Sequence, residues 1–213
     1  MKIYRLPPVS SALVFDMDST LYTNPEYERD QIDLLIKRLA RIRNKTFEDM
    51  KGEVASYRET WAQVRGEKIS LSRAFMDFGV PLEENIRWRE ELYEPSRYLK
   101  ADPVLGKTLD SLSSRYSFAL VTNNPESVAK KTLAALGVGD FFSILVGLDT
   151  CMVSKPHRLP FLKALELLEI PARECIALGD RYEFDLVPPL ELGMGGILIE
   201  KIEDVYRLEE ILP

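Results

Sequence analysis

The stretch Ala12-Leu13-Val14-Phe15-Asp16-Met17-Asp18-Ser19-Thr20-Leu21 decides how the rest of this 213-residue chain reads. Its four leading apolar residues read as a short strand buried on both faces. Two carboxylates, one residue apart, stand at the end of that strand, and small hydroxyl residues follow. A carboxylate carried into a core needs partners. Such a tip makes sense as a site, because open parallel sheets bind ligands at the carboxyl ends of their strands. Taken alone, the stretch fits a polar turn closing a strand equally well. The other strand tips decide between the two.

Working outward, residues 1–11 read as an extended leader interrupted by Pro7-Pro8. After the loop closed by Asn24-Pro25 the pattern is helical for nearly the next eighty residues. Ile32, Leu35, Ile36, Leu39 and Ile42 recur at three- and four-residue spacing, which predicts a helix over 25–43. Thr46 with Asp49 is an N-cap signature for a second helix running to Arg65. Two shorter helices are predicted over 70–78 and 83–93, bounded by Gly79, Pro81 and Pro95. Beyond residue 100 the chain alternates. Apolar strands are predicted at 118–121, 144–146, 175–178 and 196–199, with helices at 103–115, 126–136, 158–168, 183–192 and 203–212. Pro188-Pro189 should break or delay the fourth of these helices. Strand–helix alternation predicts an α/β fold with a doubly wound parallel sheet. The expected domains are a core of residues 1–22 and 100–213 and an inserted α-helical cap of residues 23–99.

The composition, 46% hydrophobic and 29% charged, suits a packed core. A net charge of -6 argues against nucleic acid or an anionic membrane as partner. No apolar run reaches the roughly 18 residues of a membrane helix. Cys151 and Cys175 are too few for a disulfide framework and predict a reducing, cytoplasmic setting. The single histidine, His157, excludes sites built on two histidines and reads as a surface or capping residue.

Three more strand tips are polar. One ends in Thr122-Asn123-Asn124-Pro125, one leads to Ser154-Lys155-Pro156, and one ends in Gly179-Asp180 with Asp185 five residues on. On one sheet edge Asp16, Asp18, Thr122, Lys155, Asp180 and Asp185 would converge. Clustered carboxylates repel unless protons or a hard cation neutralise them, and magnesium suits a few carboxylates beside phosphate oxygens. A competing pattern, Cys175 followed at C-x₅-R spacing by Arg181, matches thiolate phosphatases. Its intervening residues read as a buried strand, and Asp180 would repel a phosphate, so it is set aside.

In these four motifs the chain resembles the haloacid dehalogenase (HAD) superfamily. Asp16-Met17-Asp18-Ser19-Thr20 matches DxDxT, Thr122 follows a strand, Lys155 precedes Pro156, and Gly179 to Asp185 matches GDxxxxD. The resemblance implies a magnesium-dependent phosphatase of small phosphomonoesters with Asp16 as nucleophile and Asp18 as general acid and base. It also implies Mg²⁺ held by Asp16, the backbone carbonyl of Asp18, Asp180 and Asp185, with Glu183 as the alternative to Asp185. Thr122, with the backbone amide of Asn123, and Lys155 would receive the phosphoryl group. Asp18 separates the chain from dehalogenases, and the insert resembles the small helical cap of the phosphoglycolate phosphatase and nucleotidase groups. The expected substrate is a small phosphorylated metabolite: a nucleotide, a sugar phosphate or phosphoglycolate. Tyr22, Tyr27, Tyr57, Arg58, Trp61 and Arg65 are the candidates for holding its leaving group. The alternatives are a phosphomutase or phosphotransferase on the same core, and a catalytically idle binding protein.

Overall fold

The computed structural model describes residues 1–212. Strand β1 (Lys2–Arg5) runs along one edge, and β2 (Ala12–Phe15) lies in the middle of the sheet. Four helices follow: α1 (Pro25–Ile42), α2 (Phe47–Arg65), α3 (Leu71–Asp77) and α4 (Leu82–Leu92). The alternating part is α5 (Pro103–Ser113), β3 (Ser117–Val121), α6 (Glu126–Leu136), β4 (Ile144–Val146), α7 (Leu148–Cys151) and α8 (Leu159–Leu168). It closes with β5 (Cys175–Gly179), α9 (Val187–Glu191), β6 (Gly195–Leu198) and α10 (Ile202–Tyr206).

The sheet order is β1-β6-β5-β2-β3-β4, with every pair parallel except β1 against β6. The chain winds from β2 outward through β3 to β4, then returns to the other side of β2 with β5. The order therefore reverses between β2 and β5, and that switch point is where an open α/β sheet leaves a crevice. Strand β2 is buried along its whole length. Leu13 and Phe15 enter one apolar layer with α5 and α6, while Ala12 and Val14 enter the other with Phe161 and Ala164 of α8. Period-two alternation between two covered faces is why the strand reads as unbroken hydrophobic sequence.

One local expectation is corrected and another is met. The extended leader is a paired strand: Lys2 and Ile3 register with Leu198 and Ile197, antiparallel to the rest of the sheet. Its residues are mostly exposed, so the buried-strand signal was absent. The delay expected at prolines 188 and 189 is present: the α-helix starts only at Val187. A π-helical turn over Tyr182–Leu186 precedes them, and they occupy the first turn of α9, where missing N–H groups cost nothing.

The four-helix insert builds its own apolar cluster from Leu35, Ile36, Leu39, Met50, Val54, Phe75, Trp88 and Tyr93. Val128 of α6 joins it, and Leu82 and Ile86 of α4 pack on Leu148 of α7, so the insert is fastened to the core along α4. Asn24 caps α1 by accepting from the Tyr27 amide at 3.0 Å, while its Nδ2 donates to the Tyr98 carbonyl at 3.0 Å. One side chain thus ties together the entry and exit of the insert.

Candidate active site

The crevice at the switch point holds a buried charge cluster. Asp16 follows β2 and is 4% exposed; Lys155 comes from the loop before α8 and is fully buried. The Lys155 ammonium lies 2.5 Å from Asp16 Oδ1 and 2.6 Å from Asp185 Oδ1, and it donates to the Val121 carbonyl at 2.8 Å. Asp180 stands one residue past β5, and carboxylate oxygens of Asp16, Asp180 and Asp185 lie within 4.8 Å of one another. Asp185 can fold back this far because Gly179 has no side chain. A Cβ there would stand 2.3 Å from that of Asp185. The Arg181 amide donates to Asp185 Oδ2 at 2.9 Å and completes its orientation.

The electrostatics follow from the count of charges. Burial pushes the Asp16 carboxyl up to about 6 against the pull of Lys155. Burial, and then the charges of Asp16 and Asp185, push Asp180 up to about 8. Burial acts on Asp185 too, but Lys155 and Arg181 outweigh it and hold that group below the usual carboxylate range. Burial would lower Lys155, and its two carboxylate neighbours more than offset this. The nearest cation to Asp180 is Arg181, at 3.7 Å. Three carboxylates stand against the Lys155 ammonium and the Arg181 guanidinium, so one negative charge is left over when all three are ionised, and three hard oxygen donors around one point fit a divalent cation.

Asp18, separated from Asp16 by Met17 alone, faces different surroundings. Its Oδ2 accepts from Asn124 Nδ2 at 2.8 Å, and its Oδ1 accepts from Gln31 Nε2 at 3.2 Å and from the Tyr22 hydroxyl. Ser19 turns the chain here with a left-handed φ of 61° and donates to Glu28 of α1. Asp18 lines a cavity of about 240 Å³ whose wall also includes Arg58, Ser72, Arg89, Asn123 and Asp180. The floor belongs to the core, and the opposite wall to the insert.

A family description, haloacid dehalogenase-like hydrolase, matches residues 11–188. The chain belongs to the haloacid dehalogenase-like hydrolase family. It is 31% identical over 108 residues to phosphoglycolate phosphatase from Pectobacterium atrosepticum, which is 42% of this chain and 46% of that one. It is 36% identical over 90 residues to phosphoglycolate phosphatase from Aquifex aeolicus, 42% of each chain. These matches span less than half the length of either relative. A HAD phosphatase from Thermococcus onnurineus has a similar fold, with a TM-score of 0.66 at 21% identity over 94% of this chain and 97% of that one. A HAD-superfamily hydrolase of subfamily IA from Geobacter sulfurreducens superposes with a TM-score of 0.63 at 18% identity over 96% and 100%.

Within this haloacid dehalogenase-like fold the residues singled out by sequence fall into three groups. Asp16, Lys155, Asp180 and Asp185 come together as one cluster. Glu183 does not join them; it is exposed and pairs with Lys68 at 2.9 Å. Thr122 is buried beside the cluster, and its hydroxyl oxygen accepts from the Asn124 amide at 3.1 Å, leaving its own proton to donate. Asn123 holds the Lys155 backbone from both sides, accepting from its N–H at 2.7 Å and donating to its carbonyl at 3.2 Å.

The cap candidates divide. Tyr22 touches Asp18, Tyr27 is packed at the core end of α1, and Arg58 lines the cavity. Tyr57 donates to Asp77 at 2.8 Å on the outer surface. Trp61 lies in a separate groove of about 680 Å³ between α2, α3 and the loop carrying Ser154, and Arg65 stacks on its ring. Ser70 and Ser72 line both spaces, and Ser70 is hydrogen-bonded to Ser154 across the boundary at 2.7 Å. Helical periodicity could not separate these residues, because it reports a face and not what lies opposite. Asn124 and Arg89 were not singled out. The run Thr122-Asn123-Asn124 was the only signal for the first, and nothing local marks the second among the charged residues of α4. Cys175 is buried at the start of β5 and its thiol is pushed up to about 12 by burial, so the C-x₅-R spacing carries no thiolate site. His157 is exposed and caps the next turn by accepting from the Leu159 amide at 3.0 Å.

Proposed function

We propose that the protein is a phosphatase of small phosphomonoesters that works through a phosphoryl group carried on Asp16, with residues 23–99 as its cap domain. The observation that carries this reading is the contrast between two carboxylates one residue apart. Asp16 sits in a buried charge cluster against Lys155, and Asp18 sits among neutral donors on the cavity wall. Paired acids in opposed environments suit opposed roles. An Asp16 oxygen attacks phosphorus, the ester P–O bond breaks, and Asp18 gives its proton to the leaving oxygen. Water then attacks the acyl phosphate, Asp18 takes a proton back, and phosphate departs from Asp16. Lys155 holds Asp16 Oδ1, so the attacking carboxylate is oriented before substrate arrives. Thr122 donates to the phosphoryl oxygens.

Asp16, Asp180 and Asp185 are the residues that would hold magnesium. The ion would supply charge neutralisation for the transferring phosphoryl group. At magnesium about 100-fold above its Kd, stability should rise by ~2.7 kcal/mol, which is ~5–10 °C in Tm for a chain of this size. Asp180→Asn should lose that shift. A Tm indifferent to magnesium in the unaltered protein refutes the metal site.

The cavity is smaller than the roughly 300–1,000 Å³ of drug-sized sites, which supports a short leaving group. Relatives named phosphoglycolate phosphatase agree with that size. On the cap wall Arg58 donates Nη2 to the Ile69 carbonyl at 3.2 Å while its buried Nε has no partner. Among the described residues it has no carboxylate within ion-pair distance, so its guanidinium is free for an anionic leaving group. Arg58→Met is expected to raise KM about tenfold, ~1.4 kcal/mol of binding, with kcat little changed. An unchanged KM would remove Arg58 from the substrate contacts. The function itself is tested by phosphate release from p-nitrophenyl phosphate in magnesium, which a chelator should abolish.

A further inference from the structure

Arg89 of α4 is 6% exposed, and every partner it has is neutral. Its Nε donates to Asn85 Oδ1 at 3.0 Å, its Nη2 to Ser72 Oγ at 3.1 Å, and its Nη1 to Asn124 Oδ1 at 2.8 Å. Among the described residues no carboxylate lies within 4.0 Å of it. A buried guanidinium without a counter-ion is costly, and fastening the cap does not require one. Leu82 and Ile86 on the same helix already fasten it by apolar contact with Leu148.

What this cation does is set the direction of a hydrogen-bond chain. Guanidinium donates and never accepts, so the Asn124 atom facing it must be the carbonyl oxygen. The amide is planar, so its Nδ2 is turned the other way, and there it meets Asp18 Oδ2 at 2.8 Å. The side of the network away from Asp18 is polarised in the same sense. Asn85 Oδ1 accepts from both Arg89 and Ser72, the latter at 3.2 Å. Without Arg89 the oxygen side of the Asn124 amide loses its donor, and the bond to Asp18 alone is left to hold the amide in this orientation.

We infer that Arg89 is a positioning residue which, through Asn124, holds Asp18 in place for proton transfer to the leaving group. This inference rests on the phosphatase reading above. It makes the acid–base step dependent on the cap: Asn124 belongs to the core, and its orientation is dictated by a side chain of the insert. Asp18 is therefore fully held only when α4 is seated on α6 and α7.

The test exploits the leaving group. Phenolate is a much poorer leaving group than nitrophenolate, so phenyl phosphate needs the proton from Asp18 more than p-nitrophenyl phosphate does. The ratio kcat/KM covers events through departure of the leaving group and omits the later hydrolysis common to both esters. Arg89→Met and Asn124→Ala should each lower kcat/KM for phenyl phosphate by ~10²-fold, the lower end for acid–base catalysis, and for p-nitrophenyl phosphate by under about 5-fold. Asn124→Ala removes the link while Arg89 keeps its bonds to Asn85 and Ser72, so it gives the same reading should Arg89→Met fail to fold. Equal losses on both esters in the folded variants, or no loss on either, would overturn the positioning role alone. An unaltered protein that hydrolyses neither ester would overturn the phosphatase reading, and this inference with it.

Discussion

Asp16→Asn should abolish phosphate release, with a fall of at least ~10⁴-fold, and should do so without unfolding the protein. The amide cannot attack phosphorus, so the covalent route is lost entirely, whereas loss of an orienting group leaves a slower version of the same route. The substitution also removes one negative charge from a cluster in which three carboxylates face the Lys155 ammonium and the Arg181 guanidinium. The charge balance therefore improves, and Lys155 keeps Asp185 at 2.6 Å. Thermal unfolding should show a Tm equal to or above that of the unaltered protein. The pairing of lost turnover with retained stability is what distinguishes a nucleophile from a structural acid. Turnover within tenfold of normal in Asp16→Asn would end the proposed mechanism.

Lys155→Met should have the largest effect on stability. The side chain is fully buried and offers one cation to two buried carboxylates and a strand-end carbonyl. Methionine fills most of the volume but leaves those groups uncompensated, which costs ~3–5 kcal/mol when one partner of a buried pair is removed. For a chain of this length that is a Tm lower by ~6–20 °C. Magnesium should recover part of the loss, because a divalent ion held by Asp16, Asp180 and Asp185 would supply the missing positive charge. Activity should not return with it, since the orientation of Asp16 Oδ1 depends on the ammonium itself. A Lys155→Met protein as stable as the original in metal-free buffer would show that the cluster is not the charge-balanced unit described here.

The two effects have opposite signs for one physical reason. In this crevice negative charge is in excess. Removing an acid relieves the cluster and removing the base burdens it, although both substitutions destroy the chemistry.

Much of this arrangement is legible in the sequence. The strands β2, β3, β4 and β5 announce themselves as short apolar runs because both faces of the sheet are covered. The polar residues that follow each run have little reason to end a buried strand unless they meet. The insert is legible as helix because its apolar residues recur at three and four positions. Strand β1 is not legible, since its side chains are mostly exposed and its pairing with β6 is made by backbone groups that carry no residue signature. Trp61 and Arg65 could not be told from Arg58, because all lie on one helix and which part of α2 overhangs the crevice depends on how the insert docks.

By itself the sequence determined the fold class and the order of most elements from β2 onward, and it singled out Asp16, Asp18, Thr122, Lys155, Asp180 and Asp185 as candidates at the strand tips, with Glu183 as the alternative to Asp185. Local rules suffice for these: periodicity sets the elements, and a parallel sheet delivers its strand tips to one edge. Only the tertiary structure decided that Asp185 rather than Glu183 reaches the cluster, that Asp18 is turned away from it, and that Arg89 stands behind Asn124. Arg89 reaches Asn124 across 35 positions and Lys155 reaches Asp16 across 139, while Asp185 and Asp18 are also placed by nearer partners such as Gly179 and Tyr22. No local pattern records the long-range contacts, because they are selected by how the sheet and the helices pack together.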